Sequence, residues 1–313
     1  MVEPGAGLGA GFSDEEYAAA GARLGDPWQC ELVVKVKELQ EPEFRRPRPG
    51  QTVFAFQHFG PHPEVLEAAL ASGATFVAFE TVGEAGGRLP ILSPMSAIAG
   101  RLAVQAGAWC LQKHNGGSGV LLPGLEGVPP GKVVILGAGN VGSNALAIAY
   151  GIGASITVLA RSERRLPALK KRYPEARFGV GLDRERIVDA DLIIAGVLIP
   201  GQMSPKLIDR RMLAAMRRGS ALVDVGIDQG GIAETSRPTS HSQPSYVEEG
   251  VVHYCVPNMP AACARTASLA LERALLPYVA LLSRNELNDD LATGVQVRAG
   301  KVVHEKLARD TGK

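Results

Sequence analysis

No stretch of this sequence approaches the roughly 20 uninterrupted apolar residues that a bilayer-spanning helix needs. Its opening, MVEPGAGLGAG, has neither the basic nor the apolar region of a secretion signal. A soluble, cytoplasmic protein is therefore expected. Charge of one sign is equally scarce: 33 Lys and Arg against 32 Asp and Glu leave a formal +1, so no overall field gathers nucleic acid or an acidic membrane. The four cysteines, Cys30, Cys110, Cys255 and Cys263, are scattered, and isolated thiols of this kind are expected to be reduced and structural. No His, Cys or carboxylate spacing has the pattern of a metal site. What the chain does have is 46% hydrophobic and 21% charged residues, a globular composition, in a length that suits two domains or one large α/β unit.

The runs LVVKVKEL (32–39), TVFAFQHF (52–59) and ATFVAFETV (74–82) are short, apolar and β-rich, and PEVLEAALASG between the last two has helical spacing with a glycine stop. Alternation of this kind predicts a parallel sheet. Residues 93–113 read as one long helix leading, through HNGGSG, into a second domain. That domain opens with a strand, glycine turn, helix and strand, VPPGKVVILGAGNVGSNALAIAYGIGASITVLARSERRL. Strand-like ADLIIAGVLIPG (190–201), helical SPKLIDRRMLAAMRRG, strand-like ALVDVGIDQGG (221–231) and VVHYCVPNMP (251–260) follow. A last long helix, ACARTASLALERALLPYVALLSR, precedes a tail expected to pack back on the first domain. The expected architecture is α/β, with a doubly wound, Rossmann-type parallel sheet over 93–265 and a discontinuous second α/β domain from 1–92 and 266–313.

Within ILGAGNVGSNA, Gly137, Gly139 and Gly142 form a G-x-G-x-x-G pattern between an apolar strand and an apolar helix. The glycines serve a tight turn, approach of a pyrophosphate to backbone N–H groups, and close packing of helix on strand, with phosphates at the positive end of the helix dipole. In that full context the turn, with Asn140 and Val141, predicts a dinucleotide site. At the end of the next strand, where an Asp or Glu would accept from the ribose hydroxyls of NAD, stands Ala160, followed by Arg161, Ser162, Arg164 and Arg165. A carboxylate there would repel a 2′-phosphate. Alanine leaves room for one, and the arginines and Ser162 offer donors, of which the arginines are charge-assisted. NADP(H) is the expected cofactor, with NAD(H) as the other possibility; a solvated basic helix start is the plain reading of Arg164 and Arg165.

Three polar stretches lie where an open α/β sheet places its chemistry, at strand ends. Lys35 and Lys37 alternate with valines, which puts them on one strand face; an edge strand explains them as well as a site does. His58 ends the strand FAFQH and reads either as a bonded core histidine or as a catalytic one. Asp228 follows the strand ALVDVGI, where "DQGG" serves as a turn or carries an acid/base. The remaining histidines, His62, His114, His241, His253 and His304, read as surface or loop residues.

The runs VVKVKE, FAFQH, AFETV, PMSAIAGRLAVQAGA, GAGNVG, GVLIPG, LVDVGIDQGG, TSRPT and CVPNMPA resemble, in the same order and over nearly the whole chain, those of alanine dehydrogenases, relatives of the NAD-binding part of proton-translocating transhydrogenases. The resemblance implies a two-domain enzyme, commonly hexameric, for reversible reductive amination of pyruvate. By the same resemblance, Lys37 matches the lysine that holds the substrate, His58 the histidine bonded to its carbonyl oxygen, and Asp228 the acid/base. Ser96, Val197, Leu198, Arg237, Asn258 and Met259 match positions lining the cofactor.

Three departures from that pattern bear on function. Family members begin with a strand, helix and strand of about 30 residues before the GAGLGAGFSDEEYAAAGA segment in which this sequence starts, and that unit carries an arginine clamping the substrate carboxylate. The family's ribose-binding acid is Ala160. The proline expected after VVKVKE is Leu39, and RLGDPWQCE before it reads as shortened. Together these predict an NADP(H)-dependent oxidoreductase acting on an imine or 2-oxo group of a small amino- or imino-acid type substrate other than pyruvate, working as a homo-oligomer, dimer or hexamer. Genuine alanine dehydrogenase activity and a catalytically idle NADP-binding protein are the alternatives.

Overall fold

The computed structural model describes residues 1–197 and 203–313. Its strands are β1 (Leu32–Val34), β2 (Thr52–Ala55), β3 (Thr75–Ala78), β4 (Lys132–Leu136), β5 (Ser155–Ala160), β6 (Arg177–Val180), β7 (Leu192–Ala195), β8 (Ala221–Asp224), β9 (Ser245–Glu248), β10 (Val251–Tyr254), β11 (Val295–Arg298) and β12 (Lys301–Val302). Its α-helices are α1 (Asp14–Ala19), α2 (Pro63–Ser72), α3 (Leu92–Cys110), α4 (Asn140–Gly151), α5 (Leu166–Arg172), α6 (Arg184–Val188), α7 (Arg210–Ala215), α8 (Ala264–Leu282), α9 (Asp289–Gly294) and α10 (Glu305–Thr311). The chain divides into two units, Met1–Met95 with Cys263–Lys313, and Ser96–Ala262.

The second unit is a seven-stranded sheet in the order β6-β5-β4-β7-β8-β10-β9. All neighbours pair in parallel except β9, which runs antiparallel to β10 at the edge. Its two faces follow from alternation along each strand. Val133, Ile135, Ile156, Val158, Leu192 and Ile194 pack on one side with Ala103 and Val104 of α3 and Ala145 and Leu146 of α4. Val134, Leu136, Leu159, Ile193 and Ala195 pack on the other with Ile187 of α6 and Met212 and Leu213 of α7. Two covered faces make the sheet doubly wound, and the point where strand order reverses falls between β4 and β7, beside the glycine turn.

The first unit is a five-stranded mixed sheet, β1-β2-β3-β11-β12. The first three strands are parallel, and β11 enters antiparallel to β3. The chain tail therefore supplies two strands to this sheet, which the alternating pattern alone had put down as parallel. Val33, Val53 and Phe76 share one face with Val65 and Leu66 of α2, and Phe54 and Val77 share the other with Leu271 and Leu275 of α8.

Several expected elements are shorter than their sequence pattern. The helix expected over SPKLIDRRMLAAMRRG is only α7, because Asp209 caps its start, Oδ1 accepting from Met212 N at 2.7 Å, and Ile208 is drawn into a parallel bridge with Ala233. The run ALVDVGIDQGG leaves the sheet after Asp224 and turns through a 3₁₀ segment at Ile227–Gln229. LVVKVKEL keeps strand form only to Val34. Among the described residues no helix is long and apolar enough to cross a membrane.

Candidate active site

At the glycine turn each position has a distinct physical demand. Gly137 sits at φ 102°, a left-handed conformation open to glycine. A Cβ on Gly142 would lie 1.8 Å from the Gly137 carbonyl oxygen, so only glycine lets α4 close on the strand end. A Cβ on Gly139 would meet nothing within 4 Å; there the backbone is open. Gly139 is also the N-cap of α4 and makes no side-chain cap, so α4 begins with a helix N-terminus of the kind that suits an anion. This arrangement fits the pyrophosphate of a dinucleotide.

Ala160 ends β5 with its side chain buried. Arg161, Ser162, Arg164 and Arg165 follow as an exposed loop, and these arginines form no ion pair among the described residues, so their guanidinium groups are available to an incoming anion. Val197 follows β7 and packs against the second core, Ser96 lies in the first turns of α3, and Leu198 lies outside the described residues.

The segment after β8 is pinned from two sides. Asp224, fully buried, accepts from Gly226 N at 3.1 Å, Ile232 N at 2.7 Å and Ser236 Oγ at 2.6 Å. Lys206 Nζ donates to the carbonyls of Gly230, Gly231 and Ala233 at 2.6, 3.0 and 3.0 Å. Between these anchors Asp228 stands exposed, with one carboxylate oxygen 3.5 Å from the amide of Asn258. Asn258 itself is left-handed, at φ 49°, and Met259 beside it is buried. The Arg237 guanidinium lies 3.8 Å over the Tyr246 ring, and Tyr246 Oη accepts from Arg237 N at 3.0 Å while donating to the Thr235 carbonyl at 2.8 Å.

Tyr246 also stacks on His253, with ring centroids 4.9 Å apart. His253 was expected at the surface or in a loop and is instead fully buried in β10, with Nε2 2.7 Å from Thr235 Oγ1. Burial lowers its pKa despite the opposing bond to the Val251 carbonyl.

In the first unit Lys37 and His58 come together around a residue that sequence reasoning passed over, Glu38. The strand-face reading of Lys35 and Lys37 is corrected: the chain leaves β1 after Val34. Lys35 turns to pair with Glu43 and donates to the Glu38 carbonyl at 3.1 Å, while Leu39 goes into the core. Lys37 Nζ, half exposed, lies 3.1 Å from Glu38 Oε1, and His58 Nδ1 lies 2.9 Å from Glu38 Oε2. A second carboxylate, Glu80, accepts from the backbone amides of Gln57 at 3.1 Å and His58 at 2.8 Å, and so stabilises the left-handed backbone of His58, φ 47°. The Phe56 ring stacks parallel to the imidazole at 5.6 Å.

Burial works against the Glu38 charge, but the hydrogen bonds from His58, its own backbone and Lys37 outweigh it and hold the carboxyl well below the usual carboxylate range. Burial likewise opposes the imidazolium of His58, and the Glu38 bond with the Glu80 and Glu38 charges prevails, raising its pKa above the ordinary histidine value. The buried thiols of Cys110 and Cys255 are pushed up to about 12, first by burial, which leaves them inert near neutrality.

A Rossmann-type sheet with an open glycine turn defines a dinucleotide-binding protein. Comparison with known proteins narrows the class. The profile of the alanine dehydrogenase/PNT family, N-terminal domain, matches residues 1–99, and that of its C-terminal domain matches residues 103–305. An alanine dehydrogenase of Halomonas elongata is 47% identical over 328 aligned positions, covering 100% of this chain and 88% of that protein. Among solved structures, an L-alanine dehydrogenase gives a TM-score of 0.94 at 42% identity over 99% of this chain and 90% of that one. A transhydrogenase from Sinorhizobium meliloti gives 0.82 at 28%, over 97% and 90%. The chain belongs to the alanine dehydrogenase/PNT family, and it is an α/β oxidoreductase of the alanine dehydrogenase type that works with a nicotinamide nucleotide.

Proposed function

We propose that this chain catalyses NADP(H)-dependent hydride transfer to and from an imine or 2-oxo carbon of a small amino- or imino-acid type substrate. The observation that carries the cofactor half is the end of β5, where a small buried alanine is followed by arginines that have no ion-pair partner among the described residues. A 2′-phosphate finds there a cation in place of a repelling carboxylate. When bound, the nicotinamide supplies or takes up the hydride.

The remaining work falls to the protein. The amides at Gly139, Asn140, Val141 and Gly142 hold the pyrophosphate, and Arg161, Ser162 and Arg165 hold the 2′-phosphate. Ser96, Val197, Leu198, Arg237, Asn258 and Met259 line the nucleotide. Lys37 grips the substrate anion, His58 donates a hydrogen bond to the carbonyl oxygen, and Asp228 moves protons at the reacting nitrogen. The name borne by the relatives makes pyruvate with ammonium, and L-alanine in reverse, the first substrates to try. A soluble homo-oligomer is part of the same reading, supported by Leu269 and Leu276 exposed on α8 and checked by light scattering.

The test is a set of initial rates with NADPH and NADH, on pyruvate plus ammonium and then on a panel of 2-oxo acids and cyclic imines. Turnover with NADPH on another oxo acid or imine supports the full reading. Turnover on pyruvate alone replaces the substrate half by genuine alanine dehydrogenase activity, and preference for NADH removes the cofactor half. Arg161→Ala is expected to raise KM for NADPH roughly tenfold to a hundredfold, the equivalent of about 1.5–3 kcal/mol for a charged hydrogen bond, and to leave KM for NADH unchanged. Lys37→Ala is expected to lose turnover while nucleotide affinity stays intact; an idle nucleotide-binding protein would show no turnover to lose.

A further inference from the structure

We infer that Glu38 is a positioning residue that acts through His58, keeping the imidazole protonated and its Nε2–H turned to the substrate oxygen. This rests on the reading of His58 given above and extends it to a group that sequence pattern did not single out. Glu38 is almost wholly buried, with a side-chain exposure of 8%, in a place where a lone carboxylate would be costly to desolvate. It is compensated by Lys37 at 3.1 Å and by His58 Nδ1 at 2.9 Å.

A carboxylate only accepts, so the proton of that contact belongs to Nδ1. Nε2 has no hydrogen-bond partner among the described residues, and the His58 side chain is 40% exposed, which leaves Nε2 as the nitrogen that meets a ligand. The charges around the ring close only when His58 is cationic. Glu38 and Glu80 carry two negative charges and Lys37 one positive, while Lys35 is already committed to Glu43. An imidazolium completes the balance; a neutral ring leaves the half-buried cluster with an excess negative charge.

In the reductive direction the Nε2–H bond breaks and its proton passes to the carbonyl oxygen, whose π pair becomes a lone pair as the carbon takes the incoming ammonia. Neutral imidazole remains, its Nδ1–H still on Glu38. The sign for pH follows: because the folded protein raises the His58 pKa, the acid form persists to higher pH, and the reductive rate falls as pH rises through that raised value. Removing the Glu38 charge moves this limb to lower pH.

The test uses the full-length protein labelled with ¹⁵N-histidine, His58 being assigned by its loss in His58→Asn, together with pH–rate profiles of the wild type and Glu38→Gln. In the wild type, deprotonation of His58 is expected at Nε2, with Nδ1 keeping its proton. In E38Q the His58 midpoint is expected to move to lower pH and the alkaline limb of kcat to move with it. The neutral-pH kcat should fall about tenfold to a hundredfold, the size of a charge-assisted hydrogen bond, at unchanged KM for NADPH. An E38Q protein whose Tm drops while its His58 midpoint and pH limb stay in place makes Glu38 a structural acid and overturns the proposal. If E38Q does not fold, the wild-type tautomer decides, since deprotonation at Nδ1 is incompatible with it. Full turnover by His58→Asn sinks the functional assignment of His58; an unmoved midpoint in E38Q sinks the role of Glu38 alone.

Discussion

Gly139 and Gly142 stand three positions apart in one turn and would respond in opposite ways to the same methyl group. A Cβ on Gly142 collides with the Gly137 carbonyl at 1.8 Å, whereas one on Gly139 meets nothing within 4 Å. Gly142→Ala is therefore expected to force helix and strand apart and lower stability by about 1–3 kcal/mol or more, visible as a fall in Tm. Gly139→Ala should keep the wild-type stability to within about 0.5 kcal/mol and lose nucleotide affinity, because its methyl would occupy the space in which the proposed pyrophosphate meets the backbone; a fluorescence titration with NADPH measures this. Equal Tm losses in both variants would refute the division of labour. The fingerprint was legible in sequence because each demand is local to the turn. Glu38 was not, since what makes it notable is a bond to His58, 20 residues away, and burial that no neighbour along the chain announces. His253 escaped for a similar reason: its partner Thr235 is 18 positions distant, and a strand alternation cannot tell a neutral buried imidazole from an exposed one.

The loop after β8 shows what a strand end requires before it can present an acid. Asp224 gathers two amides and a hydroxyl from inside, and Lys206 gathers three carbonyls from outside. Lys206→Met keeps the length of the side chain and removes all three donors, so it is expected to loosen the placement of Asp228. Steady-state rates are expected to show a several-fold loss in kcat at unchanged KM for NADPH, with a stability change of about 1–3 kcal/mol from the Gly230 and Gly231 carbonyls left unpaired. An unchanged kcat would mean that the remaining bonds, those of Asp224 among them, suffice to fix the loop. Sequence pattern put a long helix across Lys206, because SPKLIDRRMLAAMRRG has helical spacing. It could not register that the lysine is recruited by carbonyls 24 to 27 residues further on, which holds its segment in an irregular form and delays the helix to Arg210.

The two units differ in how they use the chain. Ser96–Ala262 is continuous and contains both of its cores, so a fragment covering 92–262 is expected to melt cooperatively and bind NADPH by itself. The first unit borrows β11 and β12 from the far end, and Val295 and Val297 of β11 are buried in it. Each such valine contributes about 1.5–3 kcal/mol, against a total stability of about 5–15 kcal/mol for a domain. A chain ending at Gly294 should therefore lose the first unit's transition in calorimetry; survival of that transition would show that the parallel strands β1 to β3 suffice. The alternation of strands and helices foretold two α/β units. It did not foretell that a tail following a long helix would return antiparallel, because a strand's direction in a sheet is set by where its partner edge lies and not by its own residues.

On the cofactor assignment proposed above, the groups that discriminate between the two nicotinamide nucleotides sit on a short exposed loop that shares no ion pair with the described residues, next to a single alanine at the last position of β5. Their charge is uncoupled from the integrity of the scaffold, so mutation is free to rewrite it. A lineage carrying this fold is able to migrate from one cellular redox pool to the other through a few codons, each intermediate remaining a folded protein on which selection acts.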